Sequence, residues 1–409
     1  MRMARALLIV PAATYRAEAF IAAARRQGIA VAIACDIEQT LAATMGDRAL
    51  HLRLDHPDAA ASAIVAHARK TPLDAVVALD EQGVRVAALA ARELGLNHNS
   101  AEAVARATDK YAMRQAFALA DVEQPKFRMV TADQDVAAVA ASAGFPCVIK
   151  ATSLSGSRGV VRVASDDEAA AAAKLIRKII SVEGAGANAG LLVEQYVPGV
   201  EVAVEGVLHR GVLKILAVFD KPDPLDGPYF EETIYVTPSR LDPKRLAQIR
   251  LRTHEAVAAL GLTEGPIHAE LRLDGDRAWI IEVAARSIGG LCSRALGFGD
   301  GVTLEQLILR QALGLPIGHI ERESAASGVM MLPIPKTGVL QGVSGLDSAR
   351  AVDGIRGLEV SIPIGRRVLA LPEGDRYLGF MFAKGETPQR VEAALRTAHS
   401  LLDVQIAAD

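Results

Sequence analysis

The segment HAELRLDGDRAWIIEVAARSIGG at 268–290 leaves the backbone few choices. Ala269–Leu273 alternates apolar and polar residues, and Ala278–Val283 is apolar and β-prone. Asp274-Gly275-Asp276 between them is a turn signal, so the stretch reads as a hairpin closed by a three-residue loop. With that loop Glu270 faces Ile280 and His268 faces Glu282. All three polar residues then share one face, with the two glutamates roughly 7–8 Å apart as diagonal neighbours. Two carboxylates so placed can converge on a divalent cation. Arg286, Gly289 and Gly290 follow directly. A cation and a flexible backbone beside carboxylates suit a metal-phosphate site, or else the glutamates simply coat a solvated hairpin. A loop of four residues would reverse the parity.

Residues 1 to about 100 alternate strand and helix signals. Strands fall at Ala6–Val10, Ile29–Ala34 and Ala75–Leu79, and helices at Ala17–Gln27 and Val84–Leu94, the last closed by Gly95. That βαβ order predicts an α/β, Rossmann-like unit with a parallel sheet. Pro11-Ala12-Ala13 follows the first strand where a dinucleotide fold needs G-x-G-x-x-G, which excludes nicotinamide chemistry of that kind. A helical stretch runs from the N-cap Ser100 to Ala120. A strand, a helix, a strand–loop–strand unit at 145–163 and a further helix at 167–180 follow, then a connection at 181–190. Strands return at Leu191–Gln195, Val200–Leu208 and Leu213–Asp220. Helices at Leu304–Leu313 and Pro388–Leu402 complete the pattern. These shifts divide the chain at 1–100, 101–189, 190–315 and 316–409.

Composition bounds the partners. Of 409 residues, 51% are hydrophobic and 23% charged, and the net charge is −3, so nothing favours nucleic acid or an anionic membrane. The apolar run near the N-terminus is too short for a leader, and no run approaches a membrane span. Cys35, Cys147 and Cys292 are far apart and odd in number, which fits a reducing cytoplasm better than a disulfide framework.

Two further motifs carry chemistry. Lys150 ends an apolar strand in CVIKATSLSGSRGV, and the loop that follows holds Ser155, Gly156 and Gly159. Such a loop can turn its backbone N–H groups onto phosphate oxygens, with Lys150 adding a point charge. It is not a Walker A loop, because a strand follows where that motif requires a helix. Lys110 begins a helical turn and is a candidate second cation. In EQYVPGVEVAVEG at 194–206 a strand ends at Pro198-Gly199. Its edge offers backbone groups to a base, and Glu201 lies just beyond.

Taken in order, Lys110, Lys150 with its loop, Glu194 to Glu201, Glu270, Glu282 and Arg286 resemble the ATP-grasp superfamily of carboxylate–amine ligases. DGPYFEET at 226–233, EVAARSIGG at 282–290 and YLGFMFAKGETPQRVEAAL at 377–395 resemble its L-amino-acid ligase branch. The resemblance implies an ATP-grasp fold: the N-terminal Rossmann-like domain, a central two-lobed ATP-binding unit and a smaller C-terminal α/β unit. It also implies roles. Lys110 and Lys150 would hold ATP phosphates, Glu194 and Val197 would present backbone to adenine, and Glu201 would take the ribose. Glu270 and Glu282 would hold Mg²⁺ or Mn²⁺, Arg286 would meet charge on an acyl phosphate, and Glu232 would receive a substrate ammonium. His268, Gly289 and Gly290 would border the substrates, a small carboxylate and a small amine. Glu232 and His268 are candidate bases for the amine. Homodimers are common in the family resembled. The sequence departs from it at Ala284, where many members carry a metal-binding Asn. A bicarbonate-activating relative and a non-catalytic ATP-binding protein are the alternatives.

Overall fold

The computed structural model describes residues 2–12, 14–37, 46–131, 134–182, 190–318, 320–374 and 376–408. Four sheets organise them. The first is parallel, in the order Ala49–His51, Ala30–Cys35, Arg5–Ile9, Ala75–Ala78. Helices Ala17–Arg26, Pro57–Lys70 and Glu81–Leu94 accompany it. Buried parallel strands read as apolar runs, as LLI and AVV do here. The strand–helix alternation read from the sequence is this unit. Gly95 closes its last helix in the left-handed conformation, with φ 65°.

The long helix expected from Ser100 to Ala120 is two helices, Ala101–Thr108 and Lys110–Leu119. Asp109 causes the break. Its backbone is extended and its carboxylate accepts the Ala112 N–H, so it caps the second helix as Ser100 caps the first. Lys110 therefore opens a helix, and its own N–H donates to Thr152 O at the start of the glycine loop.

A second, antiparallel sheet has the order Phe127–Val130, Leu191–Gln195, Cys147–Ala151, Val160–Val163. Helices Val136–Ala143 and Asp166–Val182 pack on it through Ala140, Ala169, Ala173 and Ile176. The expected division at 189/190 is corrected: Leu191–Gln195 is a central strand of this lobe, which ends after it. Of the connection read at 181–190, residues 183–189 lie outside the described residues.

The largest sheet has eight strands, Arg277–Ala284, Gly265–Asp274, Val200–His209, Val212–Lys221, Ile234–Thr237, Ala326–Leu332, Gly379–Gly385 and Ile355–Val360. Its last three strands come from the C-terminal unit, so 316–409 continues this sheet rather than standing apart. That unit adds the helix Pro388–Ser400 and a sheet of Arg367–Val368, Gly338–Ser344 and Asp403–Ala407. Side chains alternate across a strand, so the two faces bury different clusters. Val202, Val204, Ile267, Ala269 and Leu271 pack toward the helix Pro243–Leu260. Ala203, Val207, Phe219 and Tyr235 pack toward the N-terminal unit and the helix Leu304–Ala312. Burial of each large side chain contributes about 1.5–3 kcal/mol. No helix among the described residues is long and apolar enough to cross a membrane.

Candidate active site

Register builds the site. On the second face of the large sheet, Lys221, Glu201 and Arg272 lie opposite one another on three successive strands. The next row carries Ala203, Glu270 and Glu282, and the row after it Glu205, His268 and Ala284. The hairpin turn differs from expectation. Asp274 pairs with Arg277, so Gly275-Asp276 is a two-residue loop, which alone would turn Glu282 to the wrong face. An irregularity after Ile280 adds Ile281 to one strand and restores the parity. Arg114 holds the bulge by donating from Nη2 to Ile281 O at 2.7 Å. Glu270 thus faces Glu282 directly, not diagonally, and His268 faces Ala284.

These residues open onto a cleft of ~350 Å³ between the two lobes and the N-terminal unit. Lys110, Lys150, Ser155, Gly156, Glu194, Val197, Glu201, Glu232, His268, Glu270, Glu282, Arg286, Gly289 and Gly290 all line it. Gly159 does not. It closes the loop from behind at φ 61°, where a Cβ would press on Leu154.

One end of the cleft is cationic. Lys110 Nζ sits 3.0 Å from Glu282 Oε1 and 2.7 Å from Leu154 O. Lys150 Nζ lies 2.7 Å from Glu194 Oε2, and Arg114 Nε 2.6 Å from Glu194 Oε1. Three cations thus face two carboxylates beside a loop whose Gly156, Ser157 and Gly159 all have positive φ. Burial works against the Glu194 carboxylate, but Arg114 and Lys150 hold it at about 2. Burial pulls the Lys150 ammonium down. Glu282 is opposed by burial yet kept low by Lys110 and Lys150. Glu194 corrects an expectation: its backbone is paired with strands on both sides and its side chain is an internal counter-ion. The exposed edge for a base begins beyond that strand, where Val197 lines the cleft and its carbonyl accepts from Arg272 Nη1 at 2.8 Å.

The centre holds a charge cluster. Lys221 Nζ meets Glu201 at 2.7 Å, Glu232 at 2.5 Å and Glu270 at 3.2 Å. Burial opposes its charge, but those carboxylates hold the lysine well above its ordinary range. Glu201 also accepts from Arg272 Nε at 2.8 Å, and Glu232 from the Tyr235 hydroxyl at 2.7 Å. His268 Nδ1 lies 3.2 Å from Glu205, which is fully buried, and Nε2 lies 3.6 Å from Glu270. Burial disfavours the imidazolium, but Glu205 and Glu270 raise it to about 9. His268 lines the cleft as expected, held between the Glu205 and Glu270 carboxylates, which favour its charged form.

Arg286 marks the far side. Its Nε lies 3.0 Å from Glu81 of the N-terminal unit, and its Nη1 donates to Ser287 O. Burial pushes the Glu81 carboxyl up against the pull of Arg286. Glu205 accepts the Ile288 N–H at 3.0 Å, which ties the backbone before Gly289 to the charge cluster. Sequence reading missed Lys221, Arg114, Arg272, Glu205 and Glu81. Lys221 ends an apolar strand as Lys150 does, and Arg114 lies one turn after Lys110. Those signals were present, whereas Glu81 needed the tertiary fold.

Glu270 and Glu282 suit a hard divalent cation. They are ionised oxygen donors facing each other across a strand pair, half open to the cleft and beside the phosphate-suited loop. Separately, Glu201, Glu232 and Glu270 each place a carboxylate oxygen within 4.8 Å of the others, around Lys221.

The charge arrangement makes stability depend on pH from both sides. Glu194 is depressed from 4.5, so its contribution is present above that value and lost as pH falls toward 2. His268 is raised from 6.5, so its contribution is present below that value and lost as pH rises through about 9. Urea midpoints should fall in both windows. A midpoint unchanged from pH 6.5 to 9 would contradict the His268 assignment.

A family model described as "ATP-grasp domain" matches residues 143–295. "ATP-grasp N-terminal domain" matches 21–98, and "L-amino acid ligase C-terminal domain 2" matches 330–407. The chain is 30% identical over 244 residues to an alanine–anticapsin ligase of Bacillus subtilis, covering 54% of this chain and 51% of that one. It is 25% identical to a D-alanine–D-alanine ligase of Cupriavidus necator, covering 52% and 66%. The chain thus spans about half the length of the first curated relatives it matches. The L-amino acid ligase structure from Bacillus licheniformis superposes over 100% of both chains with a TM-score of 0.82 at 24% identity, so the two share a fold.

Proposed function

We propose that this chain is an ATP-dependent carboxylate–amine ligase of the ATP-grasp superfamily, whose family models match residues 21–98 and 143–295. It activates the carboxylate of an amino acid as an acyl phosphate and joins it to an amine, forming an amide with release of ADP and phosphate. One observation carries the reading. A single cleft brings together the cationic glycine-loop end, the facing Glu270 and Glu282, and Arg286.

A carboxylate is a poor acyl donor because its leaving group would be an oxide. Attack of its oxygen on the terminal phosphorus of ATP turns that oxygen into part of a phosphate leaving group. The protein's share is positioning and charge stabilisation. Lys110, Lys150 and the loop N–H groups hold the phosphates, and Lys221 stands among the carboxylates as a further cation. Val197 borders the base and Glu201 the ribose. Glu270 and Glu282 would hold Mg²⁺ or Mn²⁺, which supplies neutralising charge to the phosphate oxygens. Arg286 meets the charge that develops on the acyl phosphate and on the tetrahedral species formed when the amine attacks. Glu232, on the substrate side of the cluster, receives the ammonium. Gly289 and Gly290 let the backbone approach the reacting acyl group. The glycine loop and the walls of the cleft keep water from the acyl phosphate.

The division of labour follows the sheets: an N-terminal unit to about 100, a small lobe to 195, a large lobe to about 315, and a C-terminal unit extending its sheet. Three buried free thiols suit a cytoplasmic setting. A homodimer is the assembly we assign, on the family resemblance.

The test is ADP and phosphate release with MgATP across pairs of amino acids, with mass detection of the amide. Release that requires both an acid and an amine is expected. AMP as product, or release that depends on bicarbonate alone, would overturn the reading.

A further inference from the structure

The cleft has a second end that is apolar. Tyr15, Ile288, Cys292, Met331 and Tyr377 line it, and all five lie in or against one apolar cluster under the large sheet. Cys292 Sγ sits 3.4 Å from Met331 Sδ. Tyr15 and Tyr377 stand edge-on to Phe380, with ring centroids at 5.1 and 5.8 Å, and Phe380 is fully buried beneath them. Between Ile288 and Cys292, Gly289 and Gly290 line the cleft without side chains. Gly290 has φ 58°, and a Cβ there would come within 2.8 Å of the Phe380 ring.

The polar groups needed to fix an amino acid's backbone border this end. Glu232 and Arg286 line the same cleft. Tyr235, which donates to Glu232, belongs to the same apolar cluster. A charged side chain would find no free partner here. The four charges that act on Cys292 are already engaged: Arg16 donates to Leu79 O and Ser287 Oγ, Lys221 and Glu232 pair with each other, and Glu205 lies against His268 and accepts the Ile288 N–H. Burial pushes the Cys292 thiol up, so it remains a neutral wall. Sulfur and aromatic edges are adaptable surfaces for an alkyl, thioether or phenyl group, and an unpaired charge placed among them is strongly disfavoured.

We propose that this apolar end holds the side chain of the amino acid whose carboxylate is activated. The acid is then an α-amino acid with an apolar side chain of leucine, methionine or phenylalanine size. Its ammonium lies toward Glu232 and its carboxylate toward Arg286. This rests on the ligase reading above and names its substrate class.

The experiment uses hydroxylamine as a small trapping amine, so that each acid is scored alone by hydroxamate and ADP formation. With the wild-type chain, leucine, methionine and phenylalanine should exceed glycine, aspartate and lysine in kcat/KM by about tenfold or more, since each methylene bound in an apolar pocket is worth roughly 10–200-fold. Met331→Ala, which enlarges the pocket, should shift preference toward phenylalanine and tryptophan by about tenfold with the KM for ATP unchanged. Tyr377→Leu is a second variant that should also reorder the acids. Preference for aspartate or lysine, or an unchanged order in both folded variants, overturns the substrate class while leaving the ligase reading intact. Absence of hydroxamate and ADP with every acid overturns both.

Discussion

Arg286→Ala is expected to lower kcat for substrate-dependent ADP release by about 10²–10³, the range seen when one preorganised donor to developing charge is removed. The guanidinium is held by Glu81 at 3.0 Å and by Ser287 O, so its position is set before substrate arrives. Its loss should leave the protein folded. Burial already pushes the Glu81 carboxyl up, so without its partner it can take a proton rather than stay as a buried charge. Glu81→Gln should therefore cost less than Arg286→Ala, because it removes the orienting group and leaves the cation. Steady-state kinetics of both variants, with thermal melts as the folding control, check this. Near-normal turnover in folded Arg286→Ala would remove Arg286 from the chemistry.

Glu194→Ala should instead damage the fold. Arg114 and Lys150 are both almost wholly buried and share this one carboxylate. Removing it leaves the buried Arg114 guanidinium without its carboxylate, and breaking a buried pair costs about 3–5 kcal/mol. Glu282→Ala is the useful contrast: its carboxylate is 29% exposed, so water in the cleft can replace it at Lys110. Glu282→Ala should keep its urea midpoint and lose ADP release, whereas Glu194→Ala should lose both. Comparable midpoints for the two variants would contradict the internal role of Glu194.

The contrast between these two glutamates shows where sequence reading succeeds and where it stops. Glu282 was legible because alternation along a strand fixes which face a side chain takes. A shorter loop and the bulge at Ile281 offset each other, so Glu282 keeps the face that a three-residue loop predicts. Glu194 was misjudged because the strand EQ looks like an edge in sequence, yet two partners more than 40 residues away cover it. The N-terminal strand–helix order was legible from short-range periodicity. The continuation of the large sheet into the C-terminal unit was not, because Ile234–Thr237 and Ala326–Leu332 pair across ninety residues. Lys221 went unread for a similar reason. A lysine at a strand end looks solvated until Glu201, Glu232 and Glu270 converge on it from two strands and a loop.

The central claim is that this cleft makes an acyl phosphate. It is tested most directly by supplying an amino acid labelled with ¹⁸O in its carboxylate, together with MgATP and an amine, and measuring the label in the released phosphate. One labelled oxygen per phosphate is expected, because the carboxylate oxygen that attacks phosphorus leaves with it. Unlabelled phosphate formed alongside amide would contradict the account.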